Sequence, residues 1–271
     1  MDLSKRVAVI TGGGSGIGRA VAASMARRGI AAVALVDVSE AIEDVAAKLN
    51  AEAGRNFAIP FHGNTTDEAF RAQVFDSISR KYGPVTMCVP AAGITRDDLA
   101  VRVDKNSGKA RIYPLDQFKL VVDVNLIAPV YWALEMIGRI AEDRAAKGQK
   151  RWMPEEGMQG SVVFIGSISS QGNRGQISYA STKAGLEGAA ATIMKEAMFH
   201  GVRCSVIHPG FTDTPMVRAM GMDYVAKNIL PFTQLGRLIQ PEEIADAICF
   251  MLANSAVSGE LWVDAGWHAP A

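Results

Sequence analysis

What this chain lacks narrows its function before any motif is read. It has no excess of either charge: 28 Lys and Arg balance 28 Asp and Glu over 271 residues. That balance offers no electrostatic footprint for nucleic acid. Cysteine is scarce, and the three present, Cys88, Cys204 and Cys249, are scattered. They read as small buried hydrophobes in a reducing compartment, so a cytoplasmic location is expected. The four histidines show no metal-ligand spacing, and no metal is assigned. Apolar runs such as "IAAVALV" are too short to span a bilayer, so no membrane partner is expected. The opening "MDLSKRVAVITGG" passes from charge into a short apolar strand, unlike a signal peptide. Internal repeats and low-complexity tracts are absent as well.

What is present is alternation. "RVAVIT" reads as a strand and Gly16 to Arg28 as a helix. "AVALVD" is the next strand, followed by a helix from about Ser39 to Asn50. "FAIPFH", "VTMCVP", "SVVFIG", "VRCSVI" and "LWVD" read as further strands, with helices near 67–82, 116–144, 178–200 and 241–254 between most of them. Near-continuously apolar strands alternating with helices predict an α/β fold with a parallel sheet covered on both faces. Ligands of such sheets bind beyond the carboxyl ends of the strands. One domain over 1–271 is expected, because α/β folds often run this long. Two stretches exceed a minimal unit: a hairpin over 101–114 around "KNSG", and a charged loop with Gly and Pro over 142–160.

"VITGGGSGIG" joins the first strand to the first helix. Its glycines let backbone approach a pyrophosphate, and the helix N-terminus offers free N–H groups. The candidate cofactor contacts here are Gly12, Gly14, Ser15, Gly16, Ile17 and Gly18; the bland alternative is a tight turn without a ligand. Asp37 closes the second strand, where a carboxylate can accept both adenosine ribose hydroxyls and repel a 2′-phosphate. Alternatively it caps the helix near Ser39. Turn and carboxylate together favour NAD over NADP, and no Arg precedes Ile17 to attract that phosphate.

In "QISYASTKAG", Tyr179 and Lys183 stand four apart and share a helix face. A nearby ammonium stabilises a phenolate, which a bare tyrosine forms only near pH ~10. A surface pair on any helix shows the same spacing. Asn125 and Pro129 make a second pair in the helix after the fourth strand. Pro129 has no N–H to give the Asn125 carbonyl, which leaves that carbonyl free for a water or simply kinks the helix.

"TGGGSGIG", "AAG" at 91–93, "VNL" at 124–126, Ser167, "YASTK" at 179–183 and "PGFTDT" at 209–214 occur together in this order. Over essentially its whole length the chain therefore resembles the short-chain dehydrogenase/reductase family. The resemblance implies a single Rossmann-type doubly wound sheet of about seven strands and a nicotinamide cofactor. It implies Tyr179 as general acid/base and Lys183 as the group that lowers its pKa and holds the nicotinamide ribose. Ser167 would bond the substrate oxygen, with Ser169 in reserve. Asn125 would hold a relay water. Asn64 and Thr65 match positions that meet adenine. Ala92 and Gly93 would lie along the cofactor, with Pro209, Thr212 and Thr214 near the nicotinamide and phosphates.

The chain departs from the family in "PAAG" at 90–93, where "NNAG" is usual, and in a Ser167-to-Tyr179 spacing of twelve. The stretch 211–235 reads as an apolar substrate lid carrying Met216, Met220, Met222, Tyr224 and Phe232, or as mere packing on the core. The tail resembles 3-oxoacyl carrier-protein reductases and type 10 3-hydroxyacyl-CoA dehydrogenases. A 3-hydroxyacyl or 3-oxoacyl thioester is the expected substrate, with another small alcohol, polyol or steroid as the alternative. Lys147, Lys150 and Arg151 would meet carrier phosphates or only water. An inactive dinucleotide-binding homologue is the reading from a different class. The resemblance also implies a homotetramer, or a dimer, paired through the long helices.

Overall fold

The computed structural model describes residues 2–267. Seven strands carry the fold: β1 (Val7–Thr11), β2 (Ala32–Asp37), β3 (Ala58–His62), β4 (Val85–Pro90), β7 (Gly160–Ile165), β8 (Val202–Pro209) and β9 (Gly259–Val263). They form one parallel sheet in the order β3-β2-β1-β4-β7-β8-β9. The order reverses between β1 and β4, which opens a crevice at their carboxyl ends. A separate antiparallel hairpin joins β5 (Val101–Val103) to β6 (Ala110–Ile112), as the 101–114 pattern predicts. Asp104 fixes its tip by accepting the N–H groups of Asn106 and Ser107.

Residue alternation along β1 builds two cores. Ala8 and Ile10 join the apolar layer under α1 (Gly16–Arg27), α2 (Ile42–Ala53) and α9 (Pro241–Ala253). Val7 and Val9 join the opposite layer with α3 (Glu68–Tyr82), α5 (Ala128–Ala146) and α6 (Ile177–Ala197). The central strands β1, β4, β7 and β8 are buried along their whole length, β2 is buried up to Asp37, and the edge strands β3 and β9 reach solvent. This is why the central strands read as unbroken apolar runs. Trp132 of α5 is fully buried, and its indole N–H donates to the Thr65 carbonyl.

Three boundaries differ from the sequence pattern. The helix expected over 116–144 is α4 (Leu115–Val122), a π-helical turn at Asp123–Ile127, then α5. Pro129 cannot continue the regular ladder, and the wider turn absorbs the fault. The stretch 142–160 is not all loop, because α5 runs to Ala146; there the buried Arg144 clamps the following segment through the Glu156 carboxylate at 2.6 Å. Helix α2 starts at Ile42 rather than Ser39, because Asp37 and Ser39 side chains accept the Ser39 and Ala41 N–H groups and hold a turn first. The stretch 211–235 contains two short helices, α7 (Pro215–Arg218) and α8 (Met222–Asn228). By length and composition alone, the 32-residue run Leu115–Ala146, which contains an 18-residue window of mean hydropathy 1.6, could cross a membrane; here α5 packs on β4 and β7.

Candidate active site

Two cavities meet at the carboxyl end of the sheet. One, of about 480 Å³, is lined by Gly12, Ser15, Gly16, Ile17, Gly18, Asp37, Asn64, Thr65, Ala92, Gly93, Tyr179, Lys183 and Thr214. The other, of about 430 Å³, is lined by Ser167, Tyr179, Pro209, Thr212, Thr214 and the lid residues Met216, Met220 and Tyr224. Tyr179 and Thr214 face both. Sequence positions scattered from 12 to 214 therefore converge on one cleft. Gly14 and Asn125 line neither cavity; the Gly14 N–H instead holds Asp37.

The glycine turn is a close-approach device. A Cβ on Gly18 would lie 2.3 Å from the Gly12 carbonyl, so only glycine lets α1 seat on the turn. Gly12 has φ +66° and lies against Ala92, where a Cβ would come within 2.7 Å of the Ala92 nitrogen. Ser15 caps α1 in extended conformation, but its side chain makes no capping bond. The first N–H groups of α1 thus face the cavity without a side-chain acceptor. Asp37 Oδ2 accepts the Gly14 N–H at 2.9 Å and Oδ1 the Ser39 N–H at 3.0 Å. Asp37 thus fixes the turn before α2 rather than capping the helix, which starts only at Ile42, and it borders the cavity. The fit to a dinucleotide is good on three counts: a backbone cradle, a helix N-terminus and a carboxylate at the end of β2.

In the "PAAG" segment the backbone is tied to the end of β1. Thr11 holds it, accepting the Ala91 N–H through its carbonyl and the Ala92 N–H through its hydroxyl. Asn125, fully buried in the π-helical turn, clips onto the next segment: Oδ1 accepts the Ile94 N–H at 2.9 Å and Nδ2 donates to the Ile94 carbonyl at 2.8 Å.

Ser167 and Ser169 both line the smaller cavity with Tyr179, and Ser167 Oγ accepts the Ser169 N–H at 3.0 Å. Ser169 donates to the side chain of Gln176 at 2.8 Å. Lys183 sits with Nζ 5.3 Å from the Tyr179 ring centroid and donates to the Ile165 carbonyl at 2.7 Å. The phenol does not follow the expected direction. Burial pushes it up to about 12, assisted by the Asp97 charge and opposed by the Ser167 side chain. Burial also brings Lys183 down to about 8. Desolvation is the largest cause of both shifts, because both charged forms lose water in the same pocket.

Several lining groups lie outside the sequence candidates. Asp97 accepts from Gln176 Nε2 at 2.8 Å, and both line the smaller cavity with Arg174. Trp267 lines it too, packed edge-on against Phe211 at 4.9 Å. Arg96 lines the larger cavity as a second cation beside Lys183. "GQ" before the tyrosine is the one local signal that could have flagged Gln176; the others come together only in three dimensions. Thr212 turns inward, its hydroxyl bonded to the Gly210 carbonyl.

The same fold is found in a short-chain type dehydrogenase/reductase from Mycobacterium marinum, with a TM-score of 0.83 over 99% of this chain and 98% of that one, at 24% identity. The sequence profile of the short chain dehydrogenase family matches residues 6–224. The chain is 30% identical over 272 residues to the 3-oxoacyl-[acyl-carrier-protein] reductase FabG of Escherichia coli (strain K12), covering 99% of each. It is 32% identical over 274 residues to an acetoacetyl-CoA reductase of Synechocystis, covering 99% of this chain and 98% of the relative. It is 32% identical over 263 residues to a mouse 3-oxoacyl-[acyl-carrier-protein] reductase, covering 96% and 97%. The chain belongs to the short-chain dehydrogenase family, oxidoreductases that use a nicotinamide dinucleotide on hydroxyl or keto groups of small molecules.

Proposed function

We propose that this protein is an NAD(H)-dependent oxidoreductase that interconverts a 3-hydroxyacyl and a 3-oxoacyl thioester. The observation that carries the reading is the place of Tyr179, at the wall common to both cavities, with Ser167 lining the smaller one. When bound, the dinucleotide supplies or accepts the hydride. Tyr179 then gives its phenolic proton to the ketone oxygen in reduction and takes it back in oxidation. Ser167 orients that oxygen. Lys183 holds the nicotinamide ribose and passes the proton toward a water on the Asn125 carbonyl. Asn64 and Thr65 meet adenine, and Asp37 the ribose hydroxyls.

The thioester class rests on the names of the relatives and on the smaller cavity. Its lid side is apolar, with Met216, Val217, Met220 and Trp267, which suits an acyl chain. Arg174 is its one cation among the described residues and suits a carrier phosphate. We further read the chain as one unit that pairs with copies of itself. Leu115, Leu120, Ile127, Tyr131 and Leu134 stay exposed on α4, the π-helical turn and α5, a face suited to a dimer or tetramer. The three cysteines are free and buried, in keeping with a reducing, cytoplasmic setting.

The test is turnover of acetoacetyl-CoA followed by NADH absorbance, with Tyr179→Phe alongside. Turnover in the wild type and a loss of at least about a hundredfold in the variant, with NADH affinity within a few-fold, is expected. Near-normal turnover by Tyr179→Phe would remove the acid/base role. No turnover with thioesters, but turnover of a polyol or steroid, would remove the substrate class alone.

A further inference from the structure

The sheet edge behind the active site carries a cluster that the proposed reaction does not use. His208, in β8, is in register with Trp262 of β9, and their rings stack with centroids 4.1 Å apart. The imidazole is wholly buried, yet Nε2 has no hydrogen-bond partner among the described residues. Two carboxylates flank that nitrogen: Glu260 Oε2 of β9 at 3.3 Å and Glu187 Oε1 of α6 at 3.8 Å. Their side chains are 41% and 30% exposed, so the cluster opens to solvent through the carboxylates.

We propose that Glu187, His208 and Glu260 bind a divalent transition cation of the zinc class at the β8–β9 edge. Three observations support this site. Two carboxylates supply the negative charge that neutralises a divalent ion, and one imidazole selects zinc-like ions over magnesium or calcium. The three donor atoms all lie within 4.8 Å of one another. Ligands about 2.1 Å from a tetrahedral ion stand about 3.4 Å apart, so small side-chain rotations complete the set. The outer partner of the imidazole is also in place, because Nδ1 lies 3.2 Å from the Ser167 carbonyl. A metal-bound histidine commonly donates its other N–H to such a carbonyl.

The cluster also reaches the active site. The same Nδ1 lies 3.3 Å from the Ser167 N–H, and a ring nitrogen either donates or accepts there. With a cation on Nε2, Nδ1 carries the proton, so it donates to the Ser167 carbonyl and cannot accept the Ser167 N–H. Gly166 allows the ring to lie this close, since a Cβ there would come within 2.6 Å of Nδ1. A cation at the edge therefore fixes one of two hydrogen bonds on the backbone of the serine that faces Tyr179.

Calorimetric titration of the full chain with Zn²⁺, in buffer free of chelators, tests the site. One equivalent per chain with micromolar or tighter affinity is expected, unaffected by excess Mg²⁺. Glu187→Gln and Glu260→Gln should each weaken it by at least about tenfold, and the double variant should abolish it at an unchanged melting temperature. Both glutamates are partly exposed, so these variants should fold even if His208→Gln does not. Absence of a wild-type equivalent would overturn the proposal. So would an equivalent that survives in the double variant, or equal binding of Mg²⁺.

Discussion

The proposed preference for NAD(H) rests on one carboxylate, and the double variant Asp37→Ser/Val38→Arg tests it directly. Backbone bonds to Gly14 and Ser39, at 2.9 and 3.0 Å, hold the Asp37 carboxylate at the end of β2. A 2′-phosphate on an adenosine lying along the glycine turn would stand about 4 Å from it. Two unit anions at that distance repel by about 1 kcal/mol at the dielectric of water and about 4 kcal/mol at an effective value near 20. Preference for NAD should therefore lie between about fivefold and a thousandfold. The side chain at 38 is 70% exposed, so an arginine there has room to reach the phosphate. Serine retains one acceptor for the backbone, but losing the carboxylate should cost about 1–3 kcal/mol of stability, so a melting curve accompanies the kinetics. The assay is the ratio of kcat/KM with NAD to that with NADP, at low and high salt. The wild-type ratio should fall toward one as salt screens the repulsion, and the variant should invert it. A wild type that uses both equally, or a variant that keeps the wild-type ratio, would refute the reasoning.

Other perturbations probe the turn and the buried lysine. Gly18→Ala forces a Cβ against the Gly12 carbonyl; we expect a loss of about 1–3 kcal/mol in stability with weaker NADH binding, and unchanged melting and affinity would contradict the close-approach role. Lys183 titrates near 8 in the fold against 10.5 free, so the unfolded chain binds more protons between those values and stability should rise with pH across that window. Lys183→Met should accordingly melt higher at neutral pH, by an amount on the order of 3 kcal/mol that disappears above pH ~10.5, while losing turnover; a variant less stable than wild type at pH ~7 would show that the bond to Ile165 matters more than the buried charge.

How far the sequence reads the molecule depends on range. Strand and helix order is legible because each element's burial is written in its own residues, as in the unbroken "VAVIT" of β1. The glycine turn and the Tyr179/Lys183 pair are legible because each lies within one short segment. Helices α7 and α8, of 4 and 7 residues, are too short to show a period. Asp97, Trp267 and His208 acquire meaning only when the sheet brings β4, the C-terminal segment and β8 together. The direction of the Tyr179 pKa is hidden for another reason. Spacing shows a cation nearby, but it does not show how much water the phenol loses.

That direction carries a consequence for the order of events. Burial raises the Tyr179 phenol to about 12 and lowers the Lys183 ammonium to about 8, so in the free protein it favours the neutral form of both groups. Oxidised cofactor would add a positive charge that favours the phenolate. One unit charge at about 5 Å and an effective dielectric near 20 contributes about 3 kcal/mol, a little over two pKa units. Oxidised NAD should therefore bring Tyr179 down from about 12 toward 10, and should hold the Lys183 proton less tightly. Alcohol oxidation should speed up with rising pH, while ketone reduction, which needs the phenol intact, should hold near neutrality. The measurement is phenolate absorbance against pH, with and without oxidised cofactor, with Tyr179→Phe subtracted. A step that moves down by about two units on cofactor binding is expected. The same step in both titrations would mean that the cofactor's charge does not reach the phenol, and that the proton leaves Tyr179 only with substrate in place.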